Sequence, residues 1–544
     1  MIPAPFVQPA PRPWHGFRDD WLVRSFVAHR LPAGMGADIA AELTDLGDLA
    51  AGPLQEFQRA DRLNEPRHVP FDAWGERVDR IEVTPLWREA ERLAVQFGLT
   101  ALPAERRHGD ASRLHQFLLV HLFHPVTDMY SCPLAMTDGA ARTLVAAGNQ
   151  ALVARAVPHL TSRDAGCFWT SGQWMTEATG GSDVGLSRTR AVRGEGGWRL
   201  HGRKWFTSAA ASQMALTLAR PEGNGPGGGG LALFYVETRD PAGRLNGLRV
   251  ERLKDKLGTR KVPTAELTLD GAVAELVAGD SQGTRAIEPM LRVTRTWNSV
   301  CAASFLRHGL GLAEDYARRR TAFGASLASQ PLHRATLDDL DADSAGAFLL
   351  AFELAGLLGR DEGGSAGPGE SALLRLLTPL AKAVTGRQAV AGASEIIEAF
   401  GGAGYVEDTG IPVLLRDAHV LPIWEGTTNV LALDLLLRAE LDAGLAALVE
   451  RVARAGRSAA GAGLGAEAAG ALTAIERAIA WHRSTRDPAT RQAGARRFAL
   501  TLGRALELAL LAEHAGAVAA GPDAAVARHA CRRFRAAGLD PLEG

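Results

Sequence analysis

The chain has 544 residues, 46% hydrophobic and 22% charged, which excludes a disordered protein and exceeds one hydrophobic core, so two to four domains are expected. Sixty basic against 61 acidic residues leave a net charge of −1, so whole-chain charge points to no polyanionic partner. Cys132, Cys167, Cys301 and Cys531 are scattered without metal-ligand or redox spacing; they fit a reducing cytoplasm, and no metal site is expected.

Met1 to Pro13 is proline-rich, with no basic stretch leading into an apolar run, so no signal peptide is expected. From about Asp38 to Ala165 the spacing is helix-like, as at Leu86, Ala90, Leu93 and Phe97. Between Cys167 and Val277, short runs bounded by Gly, Pro and Asp predict strands, among them Trp198–Leu200, Leu231–Val236 and Ala265–Leu269. Gly223–Gly230 within that block reads as a surface loop. Helical periodicity returns from Ile287 to Leu437, with a long helix over Ala335–Gly359 and a polar connection at Ser365–Gly369. The greasiest stretch, Ala345–Gly359, is too short for a membrane span and contains Glu353, so a cytoplasmic protein without a membrane partner is expected. Leu441–Gly544 is again helical and Ala-rich, with a low-complexity stretch at Ala455–Gly470. It carries 14 Arg, no Lys and 10 acidic residues, a balance of +4 against −5 for the first 440 residues. Helix, compact β and helix in series argue for α+β, not a doubly wound sheet.

Two runs carry chemistry. Trp424-Glu425-Gly426-Thr427-Thr428-Asn429 sets a glutamate beside a glycine turn, from which a carboxylate reaches a weakly acidic carbon. Trp424 supplies an apolar wall that disfavours the ionised form and so strengthens a base. Without context, a loop glutamate is ordinarily just solvated. Met175-Thr176-Glu177-Ala178-Thr179-Gly180-Gly181-Ser182-Asp183 arranges hydroxyls and amides around a Gly-Gly turn, a surface suited to a polar ring edge or a phosphate, or else a plain turn. Phe400-Gly401-Gly402-Ala403-Gly404-Tyr405 follows a helix and by itself reads as a C-cap. Gly461–Gly465 lacks a preceding strand and the last glycine of the Rossmann spacing, so it is discarded as a dinucleotide site.

In this order the runs resemble the acyl-CoA dehydrogenase flavoproteins over nearly the whole chain. The AidB-like (alkylation-response) branch is favoured by Leu253–Gly258, Gln330–Leu332, Pro422–Gly426 and the extra helical section after Asp434. The resemblance implies an N-terminal α-helical domain (1–166), a middle antiparallel β-domain (167–284), a four-helix bundle (285–440) and an extra C-terminal helical domain (441–544). It implies noncovalent FAD, one per subunit, between the β block and the second helical domain. The reaction implied is α,β-dehydrogenation of an acyl-CoA or related thioester: Glu425 takes the α-proton, the β-hydride leaves to flavin N5, and donors hold the enolate charge.

Thr176 would then meet the isoalloxazine edge and Ser182 the pyrophosphate, with Thr207, Thr427 and Asn429 completing the set. Phe206 stands where the family usually has a shielding Trp, and Ser208 where it usually has a Thr near N5; Phe206 is equally compatible with plain core. Arg320 resembles the residue that meets a neighbouring subunit's FAD pyrophosphate, its two adjacent arginines being ordinary surface charge. Gln330 lies one residue nearer Phe323 than in most members. Gly401 and Gly402 would let backbone approach the neighbour's adenosine half, which implies a homotetramer built as a dimer of dimers. Arg295 would steady the Glu425 loop, while Arg292 stands where a typical member has Asp, a departure from ordinary CoA-ester recognition.

The AidB-like branch also implies binding of double-stranded DNA without sequence preference, through arginines that neutralise phosphates. Candidates are Arg496, Arg497, Arg504, Arg528, Arg532, Arg533 and Arg535, the last four clustered on one segment. With 55 Arg and only 5 Lys in the chain, ordinary exposed arginine is the alternative. Three readings therefore stand: an FAD-dependent acyl-CoA dehydrogenase, a DNA-binding protective flavoprotein with vestigial dehydrogenase activity, and a helical assembly that has lost flavin. Retained Glu425, Thr176 and Ser182 speak against the third.

Overall fold

The computed structural model describes residues 7–437, 440–539 and 542. Two compact units are present: Met1–Arg59 with His108–Val126 and Asn298–Gly544, and Ala60–Arg107 with Thr127–Trp297.

The second unit is built on strands. β3 (Ser171–Trp174), β4 (Arg190–Gly194), β5 (Gly197–Thr207), β6 (Met214–Pro221), β7 (Ala232–Glu237), β8 (Leu248–Leu253) and β9 (Ala265–Leu276) form one sheet. Pairings β6–β4, β4–β5, β5–β9, β9–β7 and β7–β6 close it into a ring, with β3 and β8 added to β6 and β9. The sheet is mostly antiparallel as expected, but β3 and β4 both run parallel to β6. β6 is a near-continuous apolar run, Met214-Ala215-Leu216-Thr217-Leu218-Ala219, because both its faces are buried. β9 turns from one set of partners to the next through a bulge at Gly271, whose φ of 77° suits glycine. Trp174, Leu200, Phe234, Leu267 and Leu269 fill the core.

A two-stranded hairpin, β1 (Arg67–Phe71) and β2 (Arg77–Glu82), lies inside the stretch for which the spacing predicts helix. It is held by a buried carboxylate: Asp79 accepts from Val250 N at 3.0 Å and from Arg77 Nε at 2.8 Å. The expected helix around it is present as Pro85–Gln96, burying Leu86, Ala90 and Leu93, with Phe97 buried just beyond its end.

The first unit is helical apart from a tight hairpin at residues 321–326. Its 33-residue Pro331–Gly363 helix exceeds the expected Ala335–Gly359 and is long and apolar enough to cross a membrane. Yet 89% of its most apolar 18-residue window is buried inside the protein, so core packing accounts for the apolarity. A four-residue connection leads to the Pro368–Ala399 helix.

The extra section contributes four helices, Leu441–Ala459, Gly465–Ser484, Pro488–Ala517 and Ala524–Ala536. They share a core with the bundle rather than standing apart from it. A Cβ on Gly503 would meet Val384 Cγ2 at 2.4 Å, and one on Gly346 would meet the Phe534 ring at 2.7 Å. Buried Arg451 donates to Glu353 at 2.6 and 3.0 Å and to Glu513 at 2.8 and 3.2 Å. Glu507 is fully buried and accepts from Gln388 Nε2 at 3.2 Å; burial pushes its carboxyl up to about 8. Gly461 and Gly463 lie in the turn between the first two of these helices, with no strand before them.

Candidate active site

In the strand-rich unit, the loop after β3 doubles back on itself. Gly180, with φ 121°, donates its N–H to Glu177 O at 3.0 Å, which brings Gly181 against Thr176. A Cβ on Gly181 would stand 2.7 Å from Thr176 Oγ1, so a side chain there would push the Thr176 hydroxyl aside. The turn is anchored from beneath. Glu177 accepts from Arg188 N at 2.7 Å, Thr189 Oγ1 at 2.6 Å, Thr189 N at 3.2 Å and Lys204 Nζ at 2.9 Å. Burial alone would raise the Glu177 carboxyl, but the Lys204 ammonium and these donors outweigh it and hold the group below the ordinary carboxylate range. Trp205 N donates to Thr176 O at 2.9 Å, so β5 and the turn move as one piece.

A register shift between Lys204 and Thr207 breaks the alternation of β5, and Phe206 consequently faces outward, 51% exposed. That removes the core alternative for Phe206. Lys254 Nζ lies 3.5 Å from the Trp205 ring centroid and 4.7 Å from that of Phe206. Thr207 is fully buried and its hydroxyl donates to Ala265 O at 2.7 Å, so its side chain is engaged within the sheet. Ser208 Oγ is 3.4 Å from Thr264 Oγ1, which accepts from Lys256 Nζ at 2.9 Å. Thr176 and Ser182 make no side-chain hydrogen bond among the described residues, and Thr179 Oγ1 is buried without one. Arg295 and Arg292 belong to this unit, on the Glu288–Arg319 helix; Arg292 is neutralised one turn back by Glu288 at 2.8 Å.

In the helical unit, Glu425 is half-buried and sits in the left-handed region, φ 57°, followed by Gly426 at φ 107°. Trp424 Nε1 beside it is buried without a hydrogen-bond partner. Thr427 precedes the Thr428–Leu437 helix and its hydroxyl faces Val430 N at 3.5 Å, a long contact; Asn429 is exposed. Arg320 donates to Gln8 Oε1 at 3.3 Å and follows the Glu288–Arg319 helix directly. The adjacent arginines Arg318 and Arg319 are ion-paired with Asp315. Phe323 (φ 51°) and Gly324 (φ 80°) form the tip of the 321–326 hairpin, the double positive-φ turn that two-residue hairpins favour, which leaves Phe323 99% exposed. Gln330 donates to Ala322 O at 3.3 Å within the same hairpin. Gly401, φ 59°, ends its helix by donating to Glu398 O at 2.8 Å, so the C-cap role is present; Gly401 and Gly402 are both exposed.

The arginines after Leu441 divide. Arg504 is half-buried against Asp343 and Phe534, Arg533 pairs with Asp339 at 2.6 Å, and Arg535 lies 3.8 Å from Glu467. Arg528 is half-buried and Arg532 exposed, with no ion-pair partner among the described residues.

Four lysines at these loops were given no role by the sequence reading: Lys204 under the Gly180–Gly181 turn, Lys254 and Lys256 beside β5, and Lys382, which donates to Gly426 O. Their signal is scarcity. Lysine is rare in this chain, and Lys204 and Lys382 are fully buried. Within the strand-rich unit, the hydroxyls of Thr176 and Ser182 and the orphaned Thr179 Oγ1 are donors and acceptors left for a polar cofactor, and FAD fits that set.

Comparison with known proteins agrees with this geometry. Residues 281–440 match the acyl-CoA dehydrogenase C-terminal domain, residues 172–272 its middle domain, and residues 9–165 the N-terminal domain of the adaptive response protein AidB. The chain is 44% identical over 441 residues to acyl-CoA dehydrogenase family member 11 of Caenorhabditis elegans, covering 79% of this chain and 72% of that protein. It is 32% identical to the acyl-CoA dehydrogenase AidB of Escherichia coli (strain K12), covering 76% of each. The crystal structure of Caenorhabditis elegans ACDH-11 in complex with C11-CoA is similar with a TM-score of 0.92 and 39% identity, covering 99% of this chain and 93% of that one.

Proposed function

Because the chain belongs to the acyl-CoA dehydrogenase family, FAD flavoproteins that oxidise the CH–CH bond of acyl-CoA thioesters, we propose that it is an α,β-dehydrogenase with Glu425 as its base. The observation that carries the reading is the backbone at Glu425. A side-chain-bearing residue in the left-handed region costs about 1–2 kcal/mol, and such strain concentrates where a side chain must be presented in one direction. Glu425 takes the α-proton while bound FAD supplies the acceptor for the β-hydride. Thr176, Ser182 and Ser208 hold the cofactor through hydroxyls, Phe206 covers a ring face, and Thr427 and Asn429 lie at the start of the helix behind the base. Medium-length acyl-CoA is the first substrate to try, since the worm relative was crystallised with C11-CoA.

Cross-subunit roles for Arg320, Gln330, Gly401 and Gly402 draw support from apolar exposure in the same unit. Phe323, Leu332 and Tyr405 are 99%, 83% and 87% exposed, apolar side chains that a subunit interface would cover. A homotetramer is the assembly proposed.

The deciding experiment is Glu425→Gln. FAD content should stay at wild type while anaerobic flavin bleaching by an acyl-CoA panel falls by roughly 10²–10⁴-fold, the range of general-base catalysis. Bleaching at wild-type speed removes Glu425 as the base. Duplex DNA binding is the second reading, resting on likeness to AidB and on Arg528 and Arg532. With Arg533 and Arg535 engaged within the chain, the salt dependence should be shallow, at most about 0.9 per contact for those two. No binding at 50 mM salt would dispose of it.

A further inference from the structure

The loop bearing Glu425 is held in a conformation that its sequence resists, and three contacts from two long helices hold it. Asn298 Nδ2 donates to Leu421 O at 3.2 Å. Gly386 lies against the same stretch, where a Cβ would come within 3.2 Å of Leu421 and Pro422 backbone atoms. Lys382, fully buried, donates its Nζ to Gly426 O at 2.5 Å. Lys382 and Gly386 are one turn apart on the Pro368–Ala399 helix, so one face of that helix supports the loop on both sides of Glu425.

We propose that Lys382 is a positioning residue for the base. A buried ammonium is costly compared with an apolar side chain of the same volume, so its place beneath a catalytic loop calls for a reason beyond packing. Its bond to the Gly426 carbonyl fixes the peptide that follows Glu425. With that peptide fixed, the Glu425 backbone cannot relax to the right-handed region, and the carboxylate keeps one direction of presentation. This inference rests on the reading of Glu425 as the base.

The test compares Lys382→Met, which removes donor and charge, with Lys382→Gln, which keeps a donor, beside Glu425→Gln. FAD content and the KM for C11-CoA should stay within about twofold of wild type in both lysine variants. The maximal rate of flavin reduction should fall roughly 10–100-fold in Lys382→Met and less in Lys382→Gln, the scale on which a misplaced reacting group loses rate. Amide exchange across residues 423–430 of the FAD-loaded protein without substrate should quicken in Lys382→Met. Unchanged exchange, or a rate equal to wild type while Glu425→Gln is slow, overturns the role of Lys382 alone. A fast Glu425→Gln overturns the base itself. If neither lysine variant folds with FAD, Lys382 serves helix packing and the proposal is overturned.

Discussion

Replacing Lys204 with Met should uncouple the stability of the Gly180–Gly181 turn from its chemistry in a way that reads out by pH. Lys204 is fully buried and Glu177 only 4% exposed. Removing one partner of a buried pair typically costs about 3–5 kcal/mol, because the other charge is left without its counterion. Glu177 keeps its bonds from the Arg188 amide and from Thr189, so the lower end, about 3 kcal/mol, is expected. The wild-type carboxyl is held below its unfolded value, so its contribution is present above the ordinary carboxylate range and is lost as pH falls through the folded value. Without Lys204, burial dominates and the folded value rises above the unfolded one; stability is then greatest at acid pH and is lost as pH climbs. Lys204→Met should therefore release FAD at a lower temperature at pH 8 than at pH 5.5, the reverse of the trend Glu177 imposes in the parent. Adding Glu177→Gln should recover most of the loss, since replacing both charges is far cheaper than removing one. The assay is flavin release on heating, together with urea midpoints by circular dichroism, compared as midpoints because a two-unit chain does not unfold in one step. A double variant as unstable as the sum of the singles, or a Lys204→Met variant with no pH reversal, would refute the reasoning.

Gly181→Ala should weaken FAD retention about fivefold while leaving the fold intact, because the new Cβ displaces Thr176 Oγ1 and forfeits roughly 1 kcal/mol of hydrogen bonding; flavin titration of apoprotein measures it. Glu507→Gln should raise the thermal midpoint above pH 8 and change little near pH 5. With the folded carboxyl at about 8, stability is full below the unfolded value near 4.5 and is lost as pH rises through 8, a loss that glutamine cannot suffer. Arg451→Met should lower the midpoint at pH 7 by the largest margin of the set, since it leaves the half-buried Glu353 without its guanidinium and Glu513 with Arg30 alone.

What the sequence made legible was local. Leu86, Ala90 and Leu93 announced a helix, the Trp-Glu-Gly-Thr-Thr-Asn run announced a glycine turn beside Glu425, and the Gly-Gly turn was visible as a hydroxyl-rich bend. What escaped depended on residues far apart. Closure of the strand ring needs β6 to meet β3, β4 and β7, and nothing in a single strand states its neighbours. The β1–β2 hairpin was hidden because Asp79, which anchors it, finds its partner at Val250. Arginine counting after Leu441 overestimated free charge, since Asp339, Asp343 and Glu467 lie on other helices. Lys382 was passed over for the same reason: the carbonyl that explains it is 44 residues away.

The interleaving of the two units has a consequence for synthesis on the ribosome. The strand-rich unit has all its residues once position 297 has been made, but the helical unit opens with residues that must wait for partners at the far end. Asp20 meets Arg307 after 287 further residues, and Arg30 meets Glu513 after 483. At roughly 10 residues per second, the Trp21–His29 helix waits about half a minute for the first partner and longer for the second. During that interval Phe26 lacks Phe348 and Phe352, the rings that finally cover it, so the nascent chain offers a sticky helix to any holdase at hand. The unit that begins first is completed last, and the yield of the whole protein depends on how well that early helix is shielded.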